Sequence, residues 1–243
     1  MEPRLTDQIA IITGAGSGLG AAIARALAAE GARCVLAGRR LEPLQAVGAE
    51  IKAAGGEARA IVADLSDENQ IEHLAQETAR VFGGIDILVN NAGIFQLVPF
   101  AETSTALLDQ MLAVNLRGAF LLCRAAWPHL RRRGGGQIVN ISSAAGVEAY
   151  PDSAAYSVTK FGLNGLSEAL ALEGKPHNIR VLAVCPGAIE TPIWEGRAPA
   201  SVMSRMMKPE SVAEVVRWLV TSPRQLDFDP VVVRNFKDPW KET

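Results

Sequence analysis

Short apolar runs alternate along the chain with longer stretches in which apolar residues recur every three or four positions. The runs are Ile9 to Ile12, Cys34 to Ala37, Ala60 to Val62, Ile85 to Val89, Gln137 to Ile141 and Val181 to Val184, with Val231 to Val233 near the end. Runs of this length, apolar at successive positions, read as strands buried on both faces. The stretches of helical period are Leu19 to Glu30, Leu41 to Ala54, Glu68 to Phe82, Thr105 to Arg133, Ala155 to Glu173 and Glu210 to Val220. Their alternation with doubly apolar strands predicts an α/β, doubly wound architecture, a parallel sheet with helices on both faces. Ser66 and Asp67 ahead of Glu68, and Gly83-Gly84 after Phe82, are start and stop signals for the third helix. Arg131-Arg132-Arg133 followed by Gly134-Gly135-Gly136 reads as a helix end in preference to an anion site.

Composition narrows the class. With 243 residues, 49% hydrophobic and 21% charged, the chain is long enough for a large core, and no break in composition divides it, so residues 1–243 read as a single domain. A formal net charge of -2 lacks the electrostatic footprint of a nucleic-acid binder and points to a small-molecule partner. Cys34, Cys123 and Cys185 are odd in number and far apart, which argues for a reducing compartment and no disulfide framework. With His73, His129 and His177 they form no zinc-ligand spacing, so no metal is expected. Met1 to Asp7 holds two acids and no apolar signal region, and no stretch approaches the ~20 apolar residues of a membrane span. The expectation is a soluble, cytoplasmic protein with no membrane partner.

Chemistry enters first at Thr13-Gly14-Ala15-Gly16-Ser17-Gly18-Leu19-Gly20, which leads directly into the helix-forming Ala21 to Leu27. Glycines permit a tight turn and close approach to a pyrophosphate, and the helix start offers unpaired N–H groups at the positive end of its dipole. An ordinary strand-to-helix turn uses the same residues, but the position after the first strand favours a dinucleotide. Where a carboxylate would select the free 2′-hydroxyl of NAD, Gly38 stands beside Arg39 and Arg40. Planar guanidiniums suit a 2′-phosphate, so NADP(H) is expected over NAD(H). Tyr156 and Lys160 lie four residues apart, one helical turn, on one face. A phenol titrates near about 10 and becomes an acid/base at neutral pH when a neighbouring cation favours its ionised form.

Further pieces occupy set positions. Asn90-Asn91-Ala92-Gly93 follows the fourth strand, Val114-Asn115-Leu116 lies in the long helix, and Ser142-Ser143 follows the fifth strand. Pro186-Gly187-Ala188-Ile189-Glu190-Thr191 follows the sixth. Together with the glycine loop and the Tyr156–Lys160 pair, these make the chain resemble the short-chain dehydrogenase/reductase family in its single-domain form, from about Gln8 to Val220. The resemblance implies a Rossmann-type, mostly parallel seven-stranded sheet in order 3-2-1-4-5-6-7. It assigns catalysis to Asn115, Ser143, Tyr156 and Lys160, with Ser143 and Tyr156 also holding the substrate.

For the cofactor, the resemblance implies contacts from Gly14, Ser17, Gly18, Leu19 and Gly20, from Asp64 and Leu65 at the adenine, and from Asn91, Ala92 and Gly93. Arg39 and Arg40 would meet the 2′-phosphate, Tyr156 and Lys160 the nicotinamide ribose, and Pro186, Gly187, Ile189 and Thr191 the carboxamide end. In the implied mechanism Tyr156 exchanges a proton with the substrate oxygen while Ser143 steadies it, Lys160 lowers the phenol's pKa, and Asn115 steadies a water leading from Lys160 to solvent.

Residues 192–209 read as the family's substrate lid. Its Arg197, Arg205 and Lys208 stand either to meet a substrate carboxylate or to lie in solvent, and both readings are open. Glu148 and Tyr150 are expected to face the pocket, and Cys185 to pack. The ending, Asp227 to Phe236 and then Pro239-Trp240, lacks the glycine-rich close of many members and looks more like the branch that oxidises small β-hydroxy acids or serine-like alcohols. Its last strand predicts a sheet edge that a second copy covers or its own short length excuses, and a homodimer or homotetramer is expected. A reductase of carrier-bound 3-oxoacyl groups and a non-catalytic NADP(H)-sensing protein are the alternatives.

Overall fold

In a computed structural model, which describes residues 4–241, the apolar runs become β1 (Ile9–Thr13), β2 (Arg33–Gly38), β3 (Glu57–Val62), β4 (Ile87–Asn90), β5 (Gly136–Ile141), β6 (Ile179–Pro186) and β7 (Val231–Val233). Met1, Glu2 and Pro3 of the amino-terminal segment lie outside the described residues. The seven strands pair in the order β3-β2-β1-β4-β5-β6-β7, and every pair is parallel, so the expected sheet is parallel throughout rather than mostly.

Between the strands run α1 (Gly18–Ala29), α2 (Leu41–Ala53), α3 (Glu68–Phe82), α4 (Thr105–Leu112), α5 (Gly118–Arg132), α6 (Ala154–Gly174), α7 (Ala200–Met203) and α8 (Pro209–Thr221). Successive strand residues feed opposite faces, as a period of two requires. Ala10 and Ile12 join a core with Ile23, Leu27 and Val216 of α1 and α8, whereas Ile11 joins one with Leu74 and Leu122 of α3 and α5. The third helix has the expected caps: Asp67 accepts from the amides of Asn69 and Gln70, and Gly83 closes it at φ 92°. The Arg131 to Gly136 run is the helix end it was read as, with α5 stopping at Arg132 and Gly134 at φ 82°.

The helix predicted over Thr105 to Arg133 is instead two helices joined through a π turn at Ala113–Arg117. That turn centres on Asn115, and turns of this type concentrate at functional sites. The whole stretch Thr105–Arg132 reaches a mean hydropathy of 1.3 over its most apolar window and so is long and apolar enough to cross a membrane by length and composition alone, a property that core helices of folded domains share. Leu121, Leu122, Cys123, Ala126 and Leu130 of the stretch pack into the core with Leu74 of α3, while Phe120 is exposed and Glu68 of α3 binds Arg117 and Arg124.

Arg180 of β6 organises the carboxyl-terminal third. Only 8% exposed, it donates to the Gln137 side chain, to Ser222 Oγ and to the carbonyls of Leu219, Pro223 and Leu226. One guanidinium thus satisfies the carbonyls at the end of α8 and directs the chain onward into β7.

Candidate active site

At the carboxyl ends of β1 and β4, where the strand order reverses, a cleft of about 1040 Å³ opens. Such switch points are where open α/β sheets bind ligands. Every expected catalytic and cofactor-binding residue except Asn115 lines this one cleft. The glycine loop suits a phosphate by exclusion of side chains. Gly14 and Gly18 adopt φ 65° and 52°, and a Cβ on Gly20 would lie 2.4 Å from the Gly14 carbonyl oxygen. Ser17 caps α1 without using its side chain, and no acid stands in the first turn, so the hydroxyl and the helix amides remain free for an anion. These features fit a dinucleotide pyrophosphate.

At the end of β2, exposed Arg39 and Arg40 line the rim beside Gly38, and neither side chain forms a hydrogen bond or ion pair among the described residues. Across from them the charge of Arg39, together with hydrogen bonds from Ser66, holds the Asp64 carboxyl below its usual range, the Ser66 bonds contributing most. Both Ser66 bonds fall on Oδ1, at 2.9 and 2.8 Å, so Asp64 forms the Asx turn and keeps Oδ2 for a donor such as an adenine amine. Buried Leu65 backs that corner.

Asn91 braces the loop as well as lining the cleft. Its Nδ2 donates to the Thr13 carbonyl at 2.8 Å, and Thr13 Oγ1 accepts from the amides of Asn91 and Ala92, both at 2.9 Å. Opposite, Gly187 at the end of β6 donates to the Val233 carbonyl, Ile189 forms a bridge with Met207, and Thr191 packs against Gly18. The start of the lid is thereby fastened to the glycine loop.

Tyr156 and Lys160 sit one turn apart on α6, as their spacing requires, and Ser143 lies beside the phenol at the end of β5, where its hydroxyl favours the ionised form. The expected tuning of Tyr156 is corrected. Burial drives its pKa up to about 12 and outweighs the lowering by the nearby Ser143 hydroxyl. Lys160 Nζ lies 5.7 Å from the centroid of the Tyr156 ring and donates to the Ile141 carbonyl at 2.9 Å. It is only 4% exposed, and burial lowers its own pKa to about 8. Desolvation penalises the charged form of both groups, so each leans toward neutrality. Buried Cys185 adjoins Ser142 and Asn164, and burial raises its pKa, in keeping with a packing role.

Asn115 lies behind the cleft and does not line it. It is 1% exposed, its Nδ2 donates to the Ile94 carbonyl and to Thr159 Oγ1 at 2.9 and 3.2 Å, and its Oδ1 accepts from the Ile94 amide at 2.8 Å. Both its side-chain N–H bonds go to protein groups. Thr159 in turn donates to the Tyr156 carbonyl at 2.7 Å, so the carboxamide ties the strand-four loop to the turn of α6 that carries the phenol.

The lid cations do not reach the cleft. Arg197 donates to the Ile193 carbonyl, Arg205 to the Pro239 carbonyl, and Lys208 pairs with Glu190. None of the three lines the cleft among the described residues. Glu148 and Tyr150 do line it, as expected. Phe95, Arg234 and Trp240, which sequence reasoning assigned no role, line it too, as does Trp194 of the lid. The one signal for Phe95 was its place two residues after Asn90-Asn91-Ala92-Gly93.

The sequence pattern of the short chain dehydrogenases matches residues 8–201. An uncharacterized oxidoreductase of Staphylococcus aureus (strain USA300) is 31% identical over 230 residues, covering 95% of this chain and 98% of its own. A D-threitol dehydrogenase of Mycolicibacterium smegmatis is 39% identical over 197 residues, covering 79% and 76%. Among solved structures, a metagenomic short-chain oxidoreductase in complex with NADP superposes with a TM-score of 0.85 at 40% identity, over 96% of this chain and all of its own.

Proposed function

The chain belongs to the short-chain dehydrogenase/reductase family, and from that premise we propose that it is an NADP(H)-dependent enzyme moving a hydride between nicotinamide and a secondary alcohol or its carbonyl. Binding and catalysis share one domain in this reading. The observation that carries it is the single cleft, in which an acid-free phosphate loop and two unpaired guanidiniums lead to the Ser143–Tyr156–Lys160 group. The NADP complex of the metagenomic relative supports the cofactor.

Bound, the nicotinamide supplies or accepts the hydride. The chain's own groups handle the oxygen. Ser143 and Tyr156 donate hydrogen bonds to it, and in reduction the Tyr156 Oη–H bond breaks as its proton passes to the nascent alkoxide. In oxidation the proton travels from the alcohol to Tyr156. Lys160, held by the Ile141 carbonyl, faces the same floor of the cleft and is placed to anchor ribose hydroxyls. Asn115 positions, through Ile94 and Thr159, the loop and the helical turn on either side. The exposed edge of β7, where Val232 is 40% exposed, supports self-association.

Steady-state assays with NADPH and NADH against a panel of ketones and secondary alcohols test this. Turnover with NADPH is expected, with kcat/KM for NADPH exceeding that for NADH by about tenfold or more. Arg39→Ala should remove most of that preference, raising the KM for NADPH while leaving that for NADH within about twofold. A wild-type preference for NADH would overturn the cofactor assignment, and silence across the panel the reaction itself.

A further inference from the structure

We propose that the substrate is a neutral ketone or secondary alcohol with an aromatic or alicyclic body, selected by Trp240 and by the Glu148–Arg234 ion pair. The proposal rests on the hydride-transfer reading and adds to it the chemical class of the molecule and the residues that choose it.

The first support is a row of rings. Tyr156 meets Phe95 edge-on at 4.8 Å between centroids, Phe95 meets Trp194 at 5.0 Å, and Trp194 meets Trp240 at 5.6 Å, with interplanar angles of 77°, 61° and 62°. Edge-to-face contact at these distances is favourable in itself and gives the cleft a continuous aromatic wall that starts at the acid/base. Such a wall rewards a flat apolar body attached to the reacting carbon.

The second is how Trp240 is held there. Beyond β7 the chain turns back over the cleft: Pro239 is buried, its carbonyl accepts from Arg205 Nε at 2.9 Å, and the Asn235 amide fits between the Ala188 carbonyl and the Met207 amide. Trp240 follows the tied Pro239 directly and, half exposed, packs edge-on against Trp194 at the rim of the pocket.

The third is charge. Arg234 is the cation that this segment brings to the cleft, and Glu148 pairs with it at 2.7 Å across the mouth, each side chain 53% exposed. A carboxylate drawn to Arg234 meets the Glu148 carboxylate beside it, and like charges at such range repel. A neutral substrate meets no such opposition. Arg197, Arg205 and Lys208 are engaged elsewhere, which removes the cations a β-hydroxy acid would need.

Calorimetric titration of the NADP⁺-loaded protein with acetophenone, acetone and acetoacetate separates these readings without turnover. Acetophenone should bind about tenfold or more tightly than acetoacetate. Trp240→Ala should weaken acetophenone about fivefold while changing acetone less than about twofold. Glu148→Gln should tighten acetoacetate about fivefold, because it leaves Arg234 unpaired, a gain that mere loosening of the segment would not give. Equal binding of acetoacetate and acetophenone, a uniform loss across ligands in Trp240→Ala, or no gain in Glu148→Gln would each overturn the proposal. Absence of turnover with this binding order intact would instead count against the hydride-transfer reading alone.

Discussion

Tyr156→Phe is expected to lower turnover about a hundredfold or more while leaving NADPH affinity within about threefold. The substitution removes one oxygen and little else. The ring stays, and with it the 4.8 Å contact to Phe95. Ser143 Oγ keeps its bond from the Ala145 amide at 3.1 Å, so it is not left without a partner. The loss therefore falls on the proton, and a hundredfold corresponds to about 2.7 kcal/mol of barrier. The pH dependence carries the same assignment. With a pKa of about 12, Tyr156 is protonated throughout the neutral range and ready to donate, which suits reduction. Oxidation needs the phenol deprotonated first, so its rate should climb with pH from about 7 to 10 while the reductive rate does not. Steady-state rates in both directions, with fluorescence titration of NADPH and a melting curve for each protein, check both points. Turnover within tenfold of the wild type, on a folded variant that binds NADPH, would remove Tyr156 from the acid/base role.

Whatever depends on local repetition was legible before the structure. The two-sided apolar strands specify a covered parallel sheet, and the Tyr156–Lys160 spacing specifies a shared face, because both are consequences of backbone period. What escaped depends on partners distant in the chain. Ala113–Arg117 holds no glycine or proline to mark a break, and the π turn accompanies the bonds of Asn115 to Ile94 and Thr159. The aromatic wall draws Phe95, Trp194 and Trp240 from three segments, each unremarkable alone. Arg234 finds Glu148 across 86 positions. The Tyr156 pKa ran against expectation for a related reason: spacing reports that a cation is near but not how much water the fold removes, and here water removal wins.

Lys160→Met should separate function from stability with opposite signs. Activity should fall about a hundredfold or more in kcat/KM, since an ammonium at the floor of the cleft is replaced by a thioether that can anchor no hydroxyl. Stability should not follow. Lys160 is buried, and its pKa drops from 10.5 unperturbed to about 8 in the folded chain. Below about pH 8 both states carry the charge and the fold bears a desolvation cost of about 3 kcal/mol. Between about pH 8 and 10.5 the unfolded chain binds the proton and the folded one does not, so wild-type stability rises with pH until that cost is gone. Methionine carries no such cost, although it leaves the Ile141 carbonyl unpaired at about 1–3 kcal/mol. At about pH 7 the two effects offset, and the variant should melt at or slightly above the wild-type temperature. At about pH 10 only the unpaired carbonyl remains, and the variant should be the less stable. Tyr156, at about 12, stays protonated across this window in the folded protein, and its own contribution is common to both chains. Denaturant unfolding of the two proteins at about pH 7 and pH 10 reads the difference directly. A gap that stays constant with pH would mean that Lys160 carries no buried charge, and the ammonium's role as an anchor would fall with it.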